Sequence, residues 1–227
     1  MHGAFYEKSH IVSRQVNDID EVDIYPVTNR SLYNGKSDEE VIAALAGGGA
    51  KIVQLREKTL PDRDLFELAL LYRRETIRHN MIFIVNDRPD ICLLTGADGV
   101  HLGSTDLPLK QVRKLLGPDT IIGASSHDVE EAIEKQSEGA TYVNMGPLFE
   151  TPTKPGAITI GLDPVREARM QLSIPFTVMG GIAESNIDDV LKAGAKHIGV
   201  ITAIFKSTDI SKATSKFSKI IRDGRCQ

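Results

Sequence analysis

Short apolar runs rich in Val and Ile alternate along this chain with longer segments whose apolar residues recur every three or four positions. The first pattern suits a buried strand and the second an amphipathic helix. Strands are predicted over residues 23–27, 51–54, 82–85, 99–102, 121–123, 142–145, 176–179 and 197–201. Helices are predicted over 38–46, 61–79, 89–94, 107–116, 128–138, 164–171, 184–192 and 209–221. Ser37 or Asp38 can cap the first helix, Pro61 suits the opening position of the second, and Asp128 starts a helix with Glu130 and Glu131 in its first turn. Gly117, Gly139 and Gly194 fall just past helix ends, where a left-handed residue is favoured.

Strands that alternate with helices pair in parallel through right-handed crossovers. Eight such units favour a closed (β/α)8 barrel, an α/β fold that leaves no open sheet edge. The pattern places a single barrel domain over residues 22–223, preceded by an extension over residues 1–21 that shows no sustained period. An open dinucleotide-binding sheet would want GxGxxG after its first strand, and Gly47-Gly48-Gly49 instead precedes a strand. Gly35-Lys36-Ser37 looks like the end of a phosphate-binding loop, but the earlier glycine position holds Arg30.

Composition narrows the partners. A net charge of −4 over 227 residues supplies no nucleic-acid-sized positive field. No run approaches the roughly 20 apolar residues that cross a bilayer, and the polar start MHGAFYEKSH lacks the apolar stretch of a signal peptide. Cys92 and Cys226 lie far apart and outside any CxxC or Cys/His cluster, so a reducing, cytoplasmic setting is expected rather than a disulfide framework or zinc site. The expected partners are small molecules, with neither nucleic acid nor membrane among them, and self-association into a homo-oligomer is left open.

In a (β/α)8 barrel the chemistry gathers at the C-terminal ends of the strands. The second strand ends in Gln54, Arg56, Glu57 and Lys58, and the third in Asn86, Asp87 and Arg88. The fourth leads through His101 and Gly103 to Asp106; the fifth leads to Ser125, Ser126 and His127. After the sixth comes a Pro/Gly-stiffened loop with Thr151, Thr153 and Lys154, suited to an anion because its hydroxyls and cation sit on preorganised backbone. The last two strands end in Gly180-Gly181 and Ile201-Thr202. One economical reading is a diphosphate held by Arg56, Lys58 and Lys154 through a divalent metal on Asp87 and Asp106. A second phosphate would rest near Gly181 and Thr202, at the usual barrel site after strands seven and eight. Alternatively, Arg56 and Lys58 form rim ion pairs, Asp106 caps a helix, and Gly180-Gly181 is only a tight turn.

QLREK at 54–58, NDR at 86–88, GVHLG at 99–103 with Asp106, GAS at 123–125, GP at 146–147 with TPTK at 151–154, and GGI at 180–182 occur in order. Together they resemble the thiamine phosphate synthase family. The resemblance implies a barrel that joins a hydroxymethylpyrimidine diphosphate to a thiazole phosphate and releases diphosphate. It further implies that Gln54, Arg56, Lys58, Asn86, Ser125 and Lys154 bind the pyrimidine diphosphate. Asp87 and Asp106 would then hold Mg²⁺, and Thr151, Thr153, Gly181, Ile201 and Thr202 would surround the thiazole phosphate. Arg56, Lys58, Ser125 and Lys154 are the expected catalytic residues. Thr202 stands where this family more often has Ser. Two rivals remain at this stage: a thiazole tautomerase of the same superfamily, kept alive by His127 beside Ser126, and a non-catalytic phosphate-binding barrel.

Overall fold

The computed structural model describes residues 19–225, so most of the 1–21 extension, and Cys226 with it, lie outside the described residues. Eight strands form one all-parallel sheet: β1 (Ile24–Pro26), β2 (Ile52–Leu55), β3 (Ile82–Asn86), β4 (Gly99–Leu102), β5 (Ile121–Ser126), β6 (Tyr142–Met145), β7 (Phe176–Val178) and β8 (His197–Val200). Each strand pairs with its sequence neighbour from β2 to β8, and β1 returns to pair with β8. The remaining gap closes through a parallel bridge between Val27 and Gln54, where the Thr28 N–H donates to the Gln54 carbonyl at 2.9 Å. Among the described residues, the expected barrel is present.

Helices fill the crossovers: α1 (Asp38–Gly47), α2 (Asp62–Arg78), α3 (Pro89–Thr95), α4 (Leu109–Leu116), α5 (Val129–Ser137), α6 (Asp163–Gln171), α7 (Ile187–Lys192), α8 (Thr202–Phe205) and α9 (Ile210–Arg225). Ser37 caps α1 in a reciprocal capping box with Glu40, and the Asp128 carboxylate accepts from the Glu131 N–H to cap α5. Pro61 stands one place before α2 rather than inside it. The short helix α8 has no counterpart in the sequence pattern, because four residues are too few to show a period. Helix α7 begins three residues later than expected, since the Asn186 side chain accepts from the Ala183 N–H and donates to the Gly181 carbonyl, holding a turn there instead.

Strand residues that point outward pack beneath the helices in one large apolar cluster that includes Val41, Tyr72, Phe83, Val143 and Phe217. Residues pointing inward make a second cluster, with Ile52, Ile82, Ile84 and Ile121 around Tyr25 and Tyr142, and Ile19 and Val22 packed into it. A buried ion pair ties α2 to the sheet: Arg73 donates to Asp98 at 2.9 Å, and the same carboxylate accepts from the Phe83 N–H at 2.8 Å. Those bonds satisfy a charge that burial would otherwise penalise.

Candidate active site

A cavity of about 620 Å³ opens at the C-terminal ends of the strands. Every site residue expected from the sequence lines it: Gln54, Arg56, Lys58, Asn86, Asp87, Asp106, Ser125, Thr151, Thr153, Lys154, Gly181, Ile201 and Thr202. Strand alternation sorts the neighbours. Ser125 faces the cavity, whereas Ser126 is fully buried and does not line it. His127 also reaches the rim, where its Nδ1 lies 3.1 Å from the Glu131 carboxylate that accepts from the His127 N–H.

Asp87 takes a left-handed backbone, with φ of 63°, as β3 turns into α3. The Lys58 ammonium donates to its carboxylate. Burial alone would raise the Asp87 pKa, but a hydrogen bond shared with Asp106 and the charge of Lys58 outweigh it, leaving this carboxyl below its ordinary range. Burial and the same shared bond push Asp106 up. Asp106 does not cap α4: its carboxylate turns back to accept from the Gly103 N–H at 2.6 Å, and Pro108 occupies the capping position.

The two facing carboxylates suit a magnesium ion. Among the described residues no group of three or more His, Cys, Asp or Glu could hold a metal. Two carboxylates with room for phosphate oxygens and water form the donor set that a hard cation accepts.

On the floor, the Asn86 Nδ2 is buried with no hydrogen-bond partner among the described residues, so a donor is left for a ligand. Asn144, which the sequence reading did not single out, also lines the cavity, its Oδ1 accepting from Thr177 at 2.8 Å. Lys154 makes no ion pair among the described residues. At the far wall, Gly180 and Gly181 have φ of 101° and 65°. A Cβ on Gly181 would fall 2.4 Å from the Glu150 carbonyl, and one on Gly180 would fall 2.4 Å from Pro147 Cβ. Close approach of the loop after β6, as well as turn geometry, therefore calls for glycine at both positions.

A closed parallel barrel with cations, two carboxylates and hydroxyls converging at its C-terminal mouth has the form of a barrel enzyme for small molecules. Comparison with known proteins narrows this. Residues 24–204 match the family model described as thiamine monophosphate synthase. The thiamine-phosphate synthase of Caldicellulosiruptor saccharolyticus is 43% identical over 201 residues, 88% of this chain and 91% of that protein. That of Clostridium novyi is 41% identical, over 87% of this chain and 97% of its own. The structure of thiamine phosphate pyrophosphorylase from Pyrococcus furiosus superposes with a TM-score of 0.84 at 35% identity, covering 92% of this chain and 99% of that one. The chain belongs to the thiamine monophosphate synthase family, whose members are transferases of thiamine biosynthesis.

Proposed function

We propose that this cavity joins 4-amino-2-methyl-5-hydroxymethylpyrimidine diphosphate to a thiazole phosphate, forming thiamine phosphate and diphosphate. One observation carries the reading: two groups of anion-binding residues, cations at the ends of β2 and in the loop after β6, and hydroxyls and glycines in that loop and after β7 and β8, line a single cavity. A tautomerase acting on one thiazole phosphate would leave Lys58, Asp87 and Asp106 without a use.

In the proposed reaction the bond from the pyrimidine methylene to the diphosphate oxygen breaks, and its electron pair leaves with the diphosphate. The thiazole nitrogen lone pair then forms the new C–N bond, and the ring becomes a cationic thiazolium. No proton is lost, so no general base is needed. Arg56, Lys58 and Lys154 face the charge that grows on the leaving group, and fixed cations stabilise such charge as it develops. Asn86 and Ser125 add hydrogen-bond donors from the cavity floor. Asp87 and Asp106 would hold Mg²⁺, which when bound neutralises part of the diphosphate charge. Thr151, Thr153, Gly181, Ile201 and Thr202 would seat the thiazole phosphate, and holding both reactants in one cavity removes the entropy cost of their encounter.

Incubating the purified protein with both substrates and Mg²⁺, and following thiamine phosphate by mass, tests this reading. Product formation is expected. Binding of both substrates without product would favour the non-catalytic barrel and overturn the proposal.

A further inference from the structure

Beneath the cavity, a line of hydrogen bonds crosses the barrel from one of its walls to the other. Gln54 Nε2 donates to the Tyr25 hydroxyl at 3.0 Å, and that hydroxyl lies 2.7 Å from the Tyr142 hydroxyl. The Tyr142 hydroxyl lies 3.0 Å from His101 Nδ1, and His101 Nε2 lies 3.0 Å from Ser125 Oγ. Both tyrosines, Gln54 and His101 are buried. Gln54, His101 and Ser125 line the cavity, and the two tyrosines lie beneath it.

Each hydroxyl carries one hydrogen, and a neutral imidazole carries one N–H. Buried between the Tyr142 and Ser125 hydroxyls, with no carboxylate on either ring nitrogen, His101 carries a single N–H. Four links must then share these hydrogens in order. With Gln54 donating, Tyr25 donates to Tyr142, Tyr142 donates to His101 Nδ1, and His101 Nε2–H donates to Ser125 Oγ. The Ser125 hydrogen is left over, and it can point only away from the line, into the cavity. The opposite order would turn the Ser125 hydrogen toward His101 and present only oxygen lone pairs to an anion, which an anion opposes.

We propose that Tyr25, Tyr142 and His101 are positioning residues that fix Ser125 as a hydrogen-bond donor toward the leaving diphosphate. The role of the diphosphate rests on the function proposed above; the order of the hydrogens does not. Tyr25 and Tyr142 do not line the cavity, so the effect of Tyr142 on turnover runs through the His101–Ser125 end of the line.

Two measurements test the inference. The first is ¹⁵N NMR of histidine-labelled full-length protein, alone and with inorganic pyrophosphate and Mg²⁺, with the His101 resonances assigned by their loss in His101→Asn. The expected result is a neutral ring protonated at Nε2 near pH 7.5 in the pyrophosphate-bound protein. A ring protonated at Nδ1 would reverse the order and overturn the proposal, whether or not the protein turns over substrate. The second is a double-mutant cycle. Tyr142→Phe and Ser125→Ala are each expected to lower kcat about 10- to 100-fold, and the double variant is expected to be no slower than Ser125→Ala, because Tyr142 acts through Ser125. Multiplying losses would make Tyr142 a packing residue and overturn the proposal. If Tyr142→Phe does not fold, His101→Asn replaces it in the cycle. If wild-type protein forms no thiamine phosphate, the function fails, and the NMR result still decides the order of the hydrogens.

Discussion

Asp87 and Asp106 reach across from neighbouring strand ends to share a hydrogen bond, and the contact moves their acidities in opposite directions. Lys58 sits on the Asp87 side of the pair, so the negative charge concentrates there. That asymmetry would make Asp87 the stronger ligand for the proposed Mg²⁺.

Asp87→Asn should therefore raise the Mg²⁺ concentration needed for half-maximal activity by about tenfold or more. Asparagine tolerates the left-handed backbone that Asp87 adopts, so the turn should survive. Titrating Mg²⁺ in the steady-state assay checks this, and an unchanged metal requirement would remove Asp87 from the metal site.

Lys154→Ala should lower kcat and kcat/KM together, by about 10²- to 10³-fold, if its ammonium faces charge that grows only as the diphosphate departs. Steady-state kinetics with each substrate varied in turn separates the alternatives. A rise in KM at constant kcat would show that Lys154 holds the ground state alone.

His101 gives the fold a pH dependence whose sign is fixed. Its folded pKa lies near 4, against an ordinary value of 6.5. Above pH 6.5 neither state binds the proton. Between 6.5 and about 4 the unfolded chain takes it up and the folded protein refuses it, so stability falls as the pH falls. About 2 kcal/mol should be lost between pH 7.5 and pH 5. Burial also lowers the pKa of His197, which adds a loss of the same sign. Urea unfolding at both pH values, compared with His101→Asn, isolates the first contribution; an equal drop in the variant would contradict it.

Gly123→Ala should be costly despite the small change. The added methyl would fall 2.1 Å from the ring of Tyr142, which is fully buried and stacked edge-on against Tyr25. Overpacking of this kind costs about 1–3 kcal/mol, and displacing the Tyr142 hydroxyl should slow turnover as well. A variant with wild-type melting temperature and activity would show that the ring has room to shift.

Most of the barrel was legible because its strands are buried Val/Ile runs and its helix ends carry caps and glycines, both of which are local signals. The end of β5 was not, since Ala124, Ser125 and Ser126 lack strand character and are held there by pairing with β4 and β6. Candidate site residues could be read because each ends or follows a strand. Arg56, Asn86, Asp87 and Thr202 could all be placed at the barrel mouth from strand positions alone. The interior line through Tyr25 and Tyr142 escaped because both residues look like ordinary apolar strand positions, and only the closed ring brings their hydroxyls together. Asn144 was missed for the same reason.

The ring itself closes at its thinnest seam. Every other neighbouring pair of strands is joined by a ladder, but β1 meets β2 through the Val27–Gln54 bridge, reinforced where the Arg56 N–H donates to the Thr28 hydroxyl at 2.9 Å. Gln54 and Arg56 also line the cavity. The weakest seam of the ring and the mouth of the cavity are thus built from the same two residues.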